Sequence, residues 1–262
     1  MGQRLGQHFL TNKSILSRIA DLIECQPGEA LIEIGPGRGG LTTELLRRMK
    51  EASLSGNQLY LLEKDNALAT QISWEKDFSG AHIIIGDALE TLPLLIKGFG
   101  TTPYRIVGNI PYYITGYLLR VISQTQPLPL QCVFLIQKDV ALRIVAGSNS
   151  HNLLSSSVGV WADSKIAFTI SPGSFSPPPK VSSAVVVLDT NLKVPPQELP
   201  RYFSFVRSLF SHPRKTVINN LVEAGYSRNK IENTIKELSL SSVVRPQVLD
   251  VEKIHTLMRL LS

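Results

Sequence analysis

Glu33-Ile34-Gly35-Pro36-Gly37-Arg38-Gly39-Gly40 closes one short apolar run and opens a helical pattern. Glycines at such a turn let the backbone fold tightly and let a ligand approach closer than any Cβ would allow. Alone the segment is ambiguous, because Gly35, Gly37 and Gly40 also spell the GxGxxG of dinucleotide sites, a pattern with many chance matches. Three further run ends carry polar groups. Glu63 ends the second, where a carboxylate can accept both hydroxyls of a ribose. Asp87, in Gly86-Asp87-Ala88, ends the third, where a carboxylate can accept the exocyclic amine of an adenine ring. Asn109 ends the fourth and opens Asn109-Ile110-Pro111-Tyr112. Taken singly, each has a structural reading: turn glycines, a capping Asp, a surface Glu. A dehydrogenase explains the first loop and Glu63 but not the other two.

Strands must present these ends together. β-rich runs at 30–34, 58–63, 81–85, 104–108, 133–136, 165–170 and 183–188 alternate with helical patterns near 13–24, 40–49, 66–76, 115–123, 138–146 and 153–161, the rhythm of a parallel sheet with crossover helices. Ligands of open parallel sheets sit at the carboxyl ends of the strands, so the four loops converge on one crevice. After Leu188 the strand signal stops, and Val194-Pro195-Pro196 makes a stiff linker. Helices are predicted over 200–210, 213–223, 228–238 and 251–261, the last with Ile254, Leu257, Met258 and Leu261 on one stripe. The expected organisation is an α/β domain over 1–190 with a small all-α domain over 191–262.

The 262 residues are 43% hydrophobic and 18% charged, which excludes a disordered chain, and no internal repeat is visible. No apolar run approaches the ~20 residues of a membrane span. The first residues, MGQRLGQHFLTNKS, contain no apolar stretch for export, and Gly6 stands where a myristoylation signal wants Ser or Thr, so a cytoplasmic location is expected. Cys25 and Cys132 belong to no CxxC and accompany five scattered His, which suggests neither a disulfide framework nor a metal site. The net charge of +6 favours a polyanionic partner. Residues 191–262 carry 11 basic and 6 acidic side chains and residues 1–190 carry 16 and 15, so the excess lies in the tail.

S-adenosylmethionine accounts for all four run ends. The set resembles the Rossmann-like class I S-adenosylmethionine-dependent methyltransferases, with a mostly parallel seven-stranded sheet, and carries the Asn-x-Pro-Tyr signature of those that act on amino nitrogens. An adenine N6 is a poor nucleophile because its lone pair is delocalised into the ring. Two acceptors holding its two hydrogens would turn that pair toward a methyl carbon, and the Asn109 side-chain oxygen and Ile110 carbonyl are candidates, with Pro111 fixing the backbone between them. In-line positioning can supply up to ~7 to 11 kcal/mol in well-oriented systems, so neither metal nor covalent nucleophile is required. Tyr112 would stack on the base, which must be unpaired or flipped out. Phe175, on the Pro177-Pro178-Pro179 loop, is a candidate clamp for its other face.

Further stretches resemble the rRNA adenine N6-dimethyltransferases over nearly the whole chain. They are Gly6-Gln7-His8-Phe9-Leu10, which in that family folds over the cofactor, FSPPPKVSSAVVV from Phe175 to Val187, Arg214-Lys215-Thr216, and the late Arg245-Pro246 segment. The last three are similar to the bacterial small-subunit (16S) dimethyladenosine transferases of the kasugamycin-sensitivity type. The resemblance implies four methyls placed on two adjacent adenosines near the 3′ end of small-subunit rRNA, in a late assembly particle; a monomer is expected. It implies cofactor contacts from His8, Leu10, Gly35, Glu63, Asp87 and Asn109, with Gly37 and Ala88 as neighbouring candidates in the same loops, and presentation of the amine by Asn109, Ile110, Pro111 and Tyr112. Tyr112 and Phe175 are the candidate substrate contacts at the base, and Arg214 and Lys215 at RNA, since a helix starting at Pro213 would let backbone amides and two cations face one phosphate. Position 8 is His where many relatives have Asn, and only Arg4 precedes the signature as a basic arm. The competing expectations are a large-subunit (23S) adenine methyltransferase of the macrolide-resistance type, a non-catalytic assembly factor, and an NAD-dependent oxidoreductase.

Overall fold

The run Ala30–Ile34 is buried at every position, as a central strand covered on both faces must be. It belongs to a computed structural model that describes residues 8–78, 80–147 and 150–261. The strands, in chain order, are β1 (Phe9–Leu10), β2 (Ala30–Ile34), β3 (Leu59–Glu63), β4 (His82–Ile85), β5 (Tyr104–Asn109), β6 (Gln131–Gln137), β7 (Ala162–Ile170), β8 (Phe175–Ser176) and β9 (Ser183–Thr190). The helices are α1 (Lys13–Ala20), α2 (Gly40–Glu51), α3 (Asn66–Ser73), α4 (Ala88–Phe99), α5 (Thr115–Ile122), α6 (Lys138–Ile144), α7 (Leu153–Gly159), α8 (Leu199–Leu209), α9 (Val217–Glu223), α10 (Arg228–Glu237) and α11 (Val251–Leu260).

Seven strands form one sheet in the order β4-β3-β2-β5-β6-β9-β7. β4 through β6 pair in parallel and β9 joins β6 antiparallel, giving the mostly parallel Rossmann-like sheet expected. Strand order reverses between β2, followed in sequence by its neighbour β3, and β5 on its other side, and a crevice opens at such a switch point. The register brings the four carboxyl ends level, with Ile34 opposite both Leu62 and Gly108, Glu63 opposite Ile85, and Asn109 opposite Leu135.

Three features depart from the sequence reading. Helix α4 was not anticipated, because Pro93 reads as a breaker; it lies exposed in the second turn, where it costs one backbone hydrogen bond, while Ala88, Leu92 and Ile96 bury the inner face. A separate antiparallel pair, β1 with β8, also went unforeseen, since two-residue strands carry no periodicity. Helix α9 begins at Val217 rather than near Pro213, because Thr216 is its N-cap and accepts the Asn219 amide at 3.3 Å.

The chain also divides differently from a single cut after residue 190. One compact unit comprises the N-terminal part through Ala141 and Lys165–Thr190; the other joins Leu142–Ser164 to the C-terminal helices. The physical reason is local bonding within the second unit. Tyr202, fully buried, donates its hydroxyl to the Ser156 carbonyl at 3.3 Å, the Asn191 amide donates to the Trp161 carbonyl at 2.9 Å, and Lys193 pairs with Asp163 at 2.8 Å. The core of the first unit gathers Ile19, Leu31, Leu45, Leu59, Val107, Val133 and Val185 between the sheet and helices α1 and α2.

Candidate active site

The level strand ends open on a cleft of about 890 Å³. Its walls include His8, Leu10, Gly35, Gly37, Glu63, Asp87, Ala88 and the whole loop from Asn109 to Tyr112, so stretches far apart in the sequence meet in one cavity. Phe175 is not on that wall. Strand alternation turns its ring into the core, where it is 5% exposed opposite Leu10, while Ser176 faces out.

Glu63 sits at the tip of β3 with its side chain 5% exposed, and both carboxylate oxygens already accept backbone amides. Oε2 takes the Gly37 N–H at 3.0 Å and Oε1 takes the Asp65 N–H at 2.9 Å. The carboxylate thereby ties the glycine turn to the second strand end. Gly37 adopts φ +58°, a left-handed conformation that strains any L side chain, and a Cβ there would lie 3.0 Å from the Phe9 ring, which would have to shift slightly. Arg38, next in the turn, lies over the same ring with its guanidinium carbon 4.7 Å from the centroid.

Beneath this turn lies Glu33, which the sequence reading passed over as the opening of the glycine segment. It is 1% exposed and accepts the Thr42 hydroxyl at 2.7 Å. Desolvation, with the nearby Glu63 charge adding to it, pushes its carboxyl up to about 8, against the smaller opposing effect of the Thr42 bond. A charged residue in an otherwise apolar, fully buried strand was the signal that could have singled it out.

Asp87 is built differently. It is the N-cap of α4, accepting the Leu89 amide at 2.9 Å through Oδ1, and Lys64 Nζ binds Oδ2 at 2.7 Å. The Lys64 bond and then the Leu89 amide hold its carboxyl below the ordinary Asp range. The capping role and a ligand role coexist here, and Lys64 is a cleft residue that the sequence reading missed.

At the end of β5 the Asn109 amide nitrogen donates to the His8 carbonyl at 3.0 Å. That bond fixes the amide's orientation and leaves Oδ1 as an acceptor. The Ile110 N–H is tied to the Leu135 carbonyl at 3.0 Å, and among the described residues no backbone amide donates to the Ile110 carbonyl. Gly108 permits this geometry, since a Cβ at that position would strike the Ile34 carbonyl oxygen. The Tyr112 hydroxyl is held 2.8 Å from Ser183 Oγ, which anchors one end of its ring. His8 closes the loop from the other side, its Nδ1 2.8 Å from the Pro177 carbonyl.

The ribosomal RNA adenine dimethylase family matches residues 2–261. The chain belongs to that family. It is 33% identical over 253 residues to the ribosomal RNA small subunit methyltransferase A of Mycoplasma mycoides, covering 95% of this chain and 92% of that protein. It is 36% identical over 245 residues to the protein of the same name from Deinococcus radiodurans, covering 93% and 80%. Among solved structures it resembles a dimethyladenosine transferase from Plasmodium falciparum (TM-score 0.77, 23% identity, 95% and 96% covered) and the 23S rRNA methyltransferase ErmE (TM-score 0.74, 23% identity, 97% and 99% covered); these two likenesses establish the shared fold.

As a member of the family the chain is an S-adenosylmethionine-dependent ribosomal RNA adenine dimethyltransferase. The residues present fit that cofactor: a side-chain-free turn at Gly37, a pre-oriented carboxylate at Glu63, a second carboxylate at Asp87, and the Asn109 oxygen all line one cleft. Among the described residues no group of three or more His, Cys, Asp or Glu side chains is arranged to hold a metal ion, and no helix is long and apolar enough to cross a membrane. Cys132 is buried and Cys25 half-buried, both as free thiols. Arg214 and Lys215 belong to the helical unit, on the turn before α9 rather than at a helix start, and Lys215 is drawn to Glu223 at 2.8 Å. Arg4, Gly6 and Gln7 lie outside the described residues.

Proposed function

We propose that this protein dimethylates N6 of two adjacent adenosines near the 3′ end of small-subunit rRNA, acting as a monomer on a late assembly particle in the cytoplasm. The observation that carries the chemistry is the anchored Asn109 amide, whose nitrogen is spent on the His8 carbonyl and whose oxygen is left for a substrate amine. The small-subunit choice is supported by relatives that carry that name while covering most of this chain.

S-adenosylmethionine, when bound, supplies an electrophilic methyl on a positive sulfur. Glu63 would hold the ribose hydroxyls and Asp87 the adenine amine of the cofactor, and the turn at Gly35 and Gly37 would let the backbone approach it closely. Asn109 Oδ1 accepts one N6 hydrogen of the target adenine and the Ile110 carbonyl the other, so the nitrogen lone pair leaves conjugation and points at carbon. Pro111 removes backbone freedom between those acceptors, and the Tyr112 ring stacks on the base, a contact of ~1 to 3 kcal/mol. No strong base is needed, because the amine becomes acidic only once it has gained the methyl. Its proton then passes to solvent at the cleft mouth.

The test is transfer of labelled methyl into small-subunit particles from cells lacking the gene, compared with naked large-subunit RNA, followed by mapping of the modified nucleotides. Two neighbouring dimethyladenosines in the small-subunit RNA are expected. Modification of the large-subunit RNA instead would assign the protein to the other substrate, and no transfer to either would refute the catalytic reading.

A further inference from the structure

Beyond Tyr112 the loop continues through Tyr113 into helix α5, and this stretch carries two aromatic rings that the fold does not use. Tyr113 is 57% exposed and Tyr117 65% exposed; only Trp74 among the described aromatic side chains is more so. Among the described residues neither phenol is hydrogen-bonded and neither ring stacks on another ring. Leaving such rings in water forgoes their burial, and nearby positions show that the helix has a core to use, since Leu118, Leu119 and Ile122 are all buried. Arg120 follows Tyr117 by three residues on the exposed side of the same helix, and it is the sole charged side chain from Pro111 to Pro127. Tyr113 itself lines the cleft, and Tyr117 and Arg120 follow it at intervals of four and three residues.

We propose that Tyr113, Tyr117 and Arg120 form an RNA-binding strip that stacks the unpaired nucleotides flanking the target adenosine and takes one of their phosphates. The inference rests on the reading of the cleft as an RNA adenine site. A nucleotide drawn into the cleft leaves its neighbours without one stacking partner, and an exposed aromatic ring beside the cleft mouth replaces it without regard to base identity. A lone cation beside the rings, with no carboxylate among its chain neighbours, suits the phosphate that joins those nucleotides. Tyr117 and Arg120 thus extend recognition past the base that Tyr112 covers.

The experiment uses the full-length protein with S-adenosylhomocysteine and two RNA fragments of the small-subunit 3′ region, carrying 2-aminopurine on the 5′ or the 3′ side of the target adenosine. Quenching of one probe on binding is expected. Tyr117→Leu should lose that quenching and weaken RNA binding about tenfold, Tyr117→Phe should keep both, and both should bind S-adenosylhomocysteine as the wild type does. Arg120→Gln should lower the log–log salt slope of RNA binding by about 0.7. Unchanged quenching and affinity in Tyr117→Leu, with wild-type protein that methylates the RNA, would overturn the strip alone. A wild type that methylates no ribosomal RNA would overturn the underlying reading and the strip with it.

Discussion

At the Glu63 side of the cleft the polar groups are satisfied before a ligand arrives, by backbone amides of Gly37 and Asp65 and, one layer down, by the Thr42 hydroxyl on Glu33. At the Asp87 side a carboxylate in an equivalent place is held by a lysine whose side chain is 61% exposed. The first arrangement is rigid and dry, so a ligand that meets it pays little for ordering the site. The second exchanges a solvent-screened ion pair for a ligand contact, which is worth little and depends on salt. On the proposed reading the Glu63 and Asn109 wall would supply orientation, and the Asp87 lip would adjust affinity.

The largest effect is expected at Asn109. Asn109→Ala removes an acceptor used at the reacting amine, and turnover should fall by roughly 10² to 10³ while thermal unfolding and S-adenosylhomocysteine binding change little. Single-turnover methyl transfer measures it, and a loss below about tenfold would show that the wall does not orient the nucleophile. Glu63→Ala should act on the other quantity, weakening cofactor binding by about 10- to 100-fold in a calorimetric titration, because charge-assisted hydrogen bonds are lost and the glycine turn is released.

Glu33 gives the buried wall a pH signature. Its folded-state carboxyl titrates at about 8 while the unfolded chain's titrates near the ordinary value of 4.5. Between those values the folded state retains a proton that the unfolded state has given up, so its stabilising contribution, complete below pH 4.5, falls as pH rises and levels off above 8. The slope is at most about 1.4 kcal/mol per pH unit. Unfolding midpoints of Glu33→Gln between pH 5 and 8 should lack that component, and parallel profiles for the two proteins would show that Glu33 is ionised in the fold. The smallest effect belongs to the lip. Lys64→Met frees Asp87 and should tighten S-adenosylhomocysteine binding by only about two- to fivefold, with weaker dependence on salt. A loss of affinity would make Lys64 a ligand contact instead of a competitor.

The legibility of the molecule in its sequence follows the same division. The order of strand ends, and with it the cleft from Gly35 to Tyr112, was readable because a parallel sheet forces those ends level. The inward turn of Phe175 was not legible, because nothing local says which face of a two-residue strand looks inward. The Arg214 and Lys215 turn was misjudged because Pro213 and Thr216 both mark helix starts, and only the bond from Thr216 to the Asn219 amide decides between them. The pairing of Lys64 with Asp87 spans 23 positions and the bond from Asn109 to His8 spans 101, and such tertiary bonds leave no periodic trace. For the same reason the joining of residues 142–164 to the helical unit was invisible along the chain.

The position of the substrate nitrogen decides whether Asn109 orients the nucleophile. A crystal structure of the protein with S-adenosylhomocysteine and an RNA bearing the target adenosine measures it directly. N6 is expected within about 2.7 to 3.2 Å of both Asn109 Oδ1 and the Ile110 carbonyl oxygen, with the Asn109 amide nitrogen still on the His8 carbonyl. An adenine whose N6 faces neither oxygen, or an Asn109 whose oxygen is turned away from the base, would contradict it.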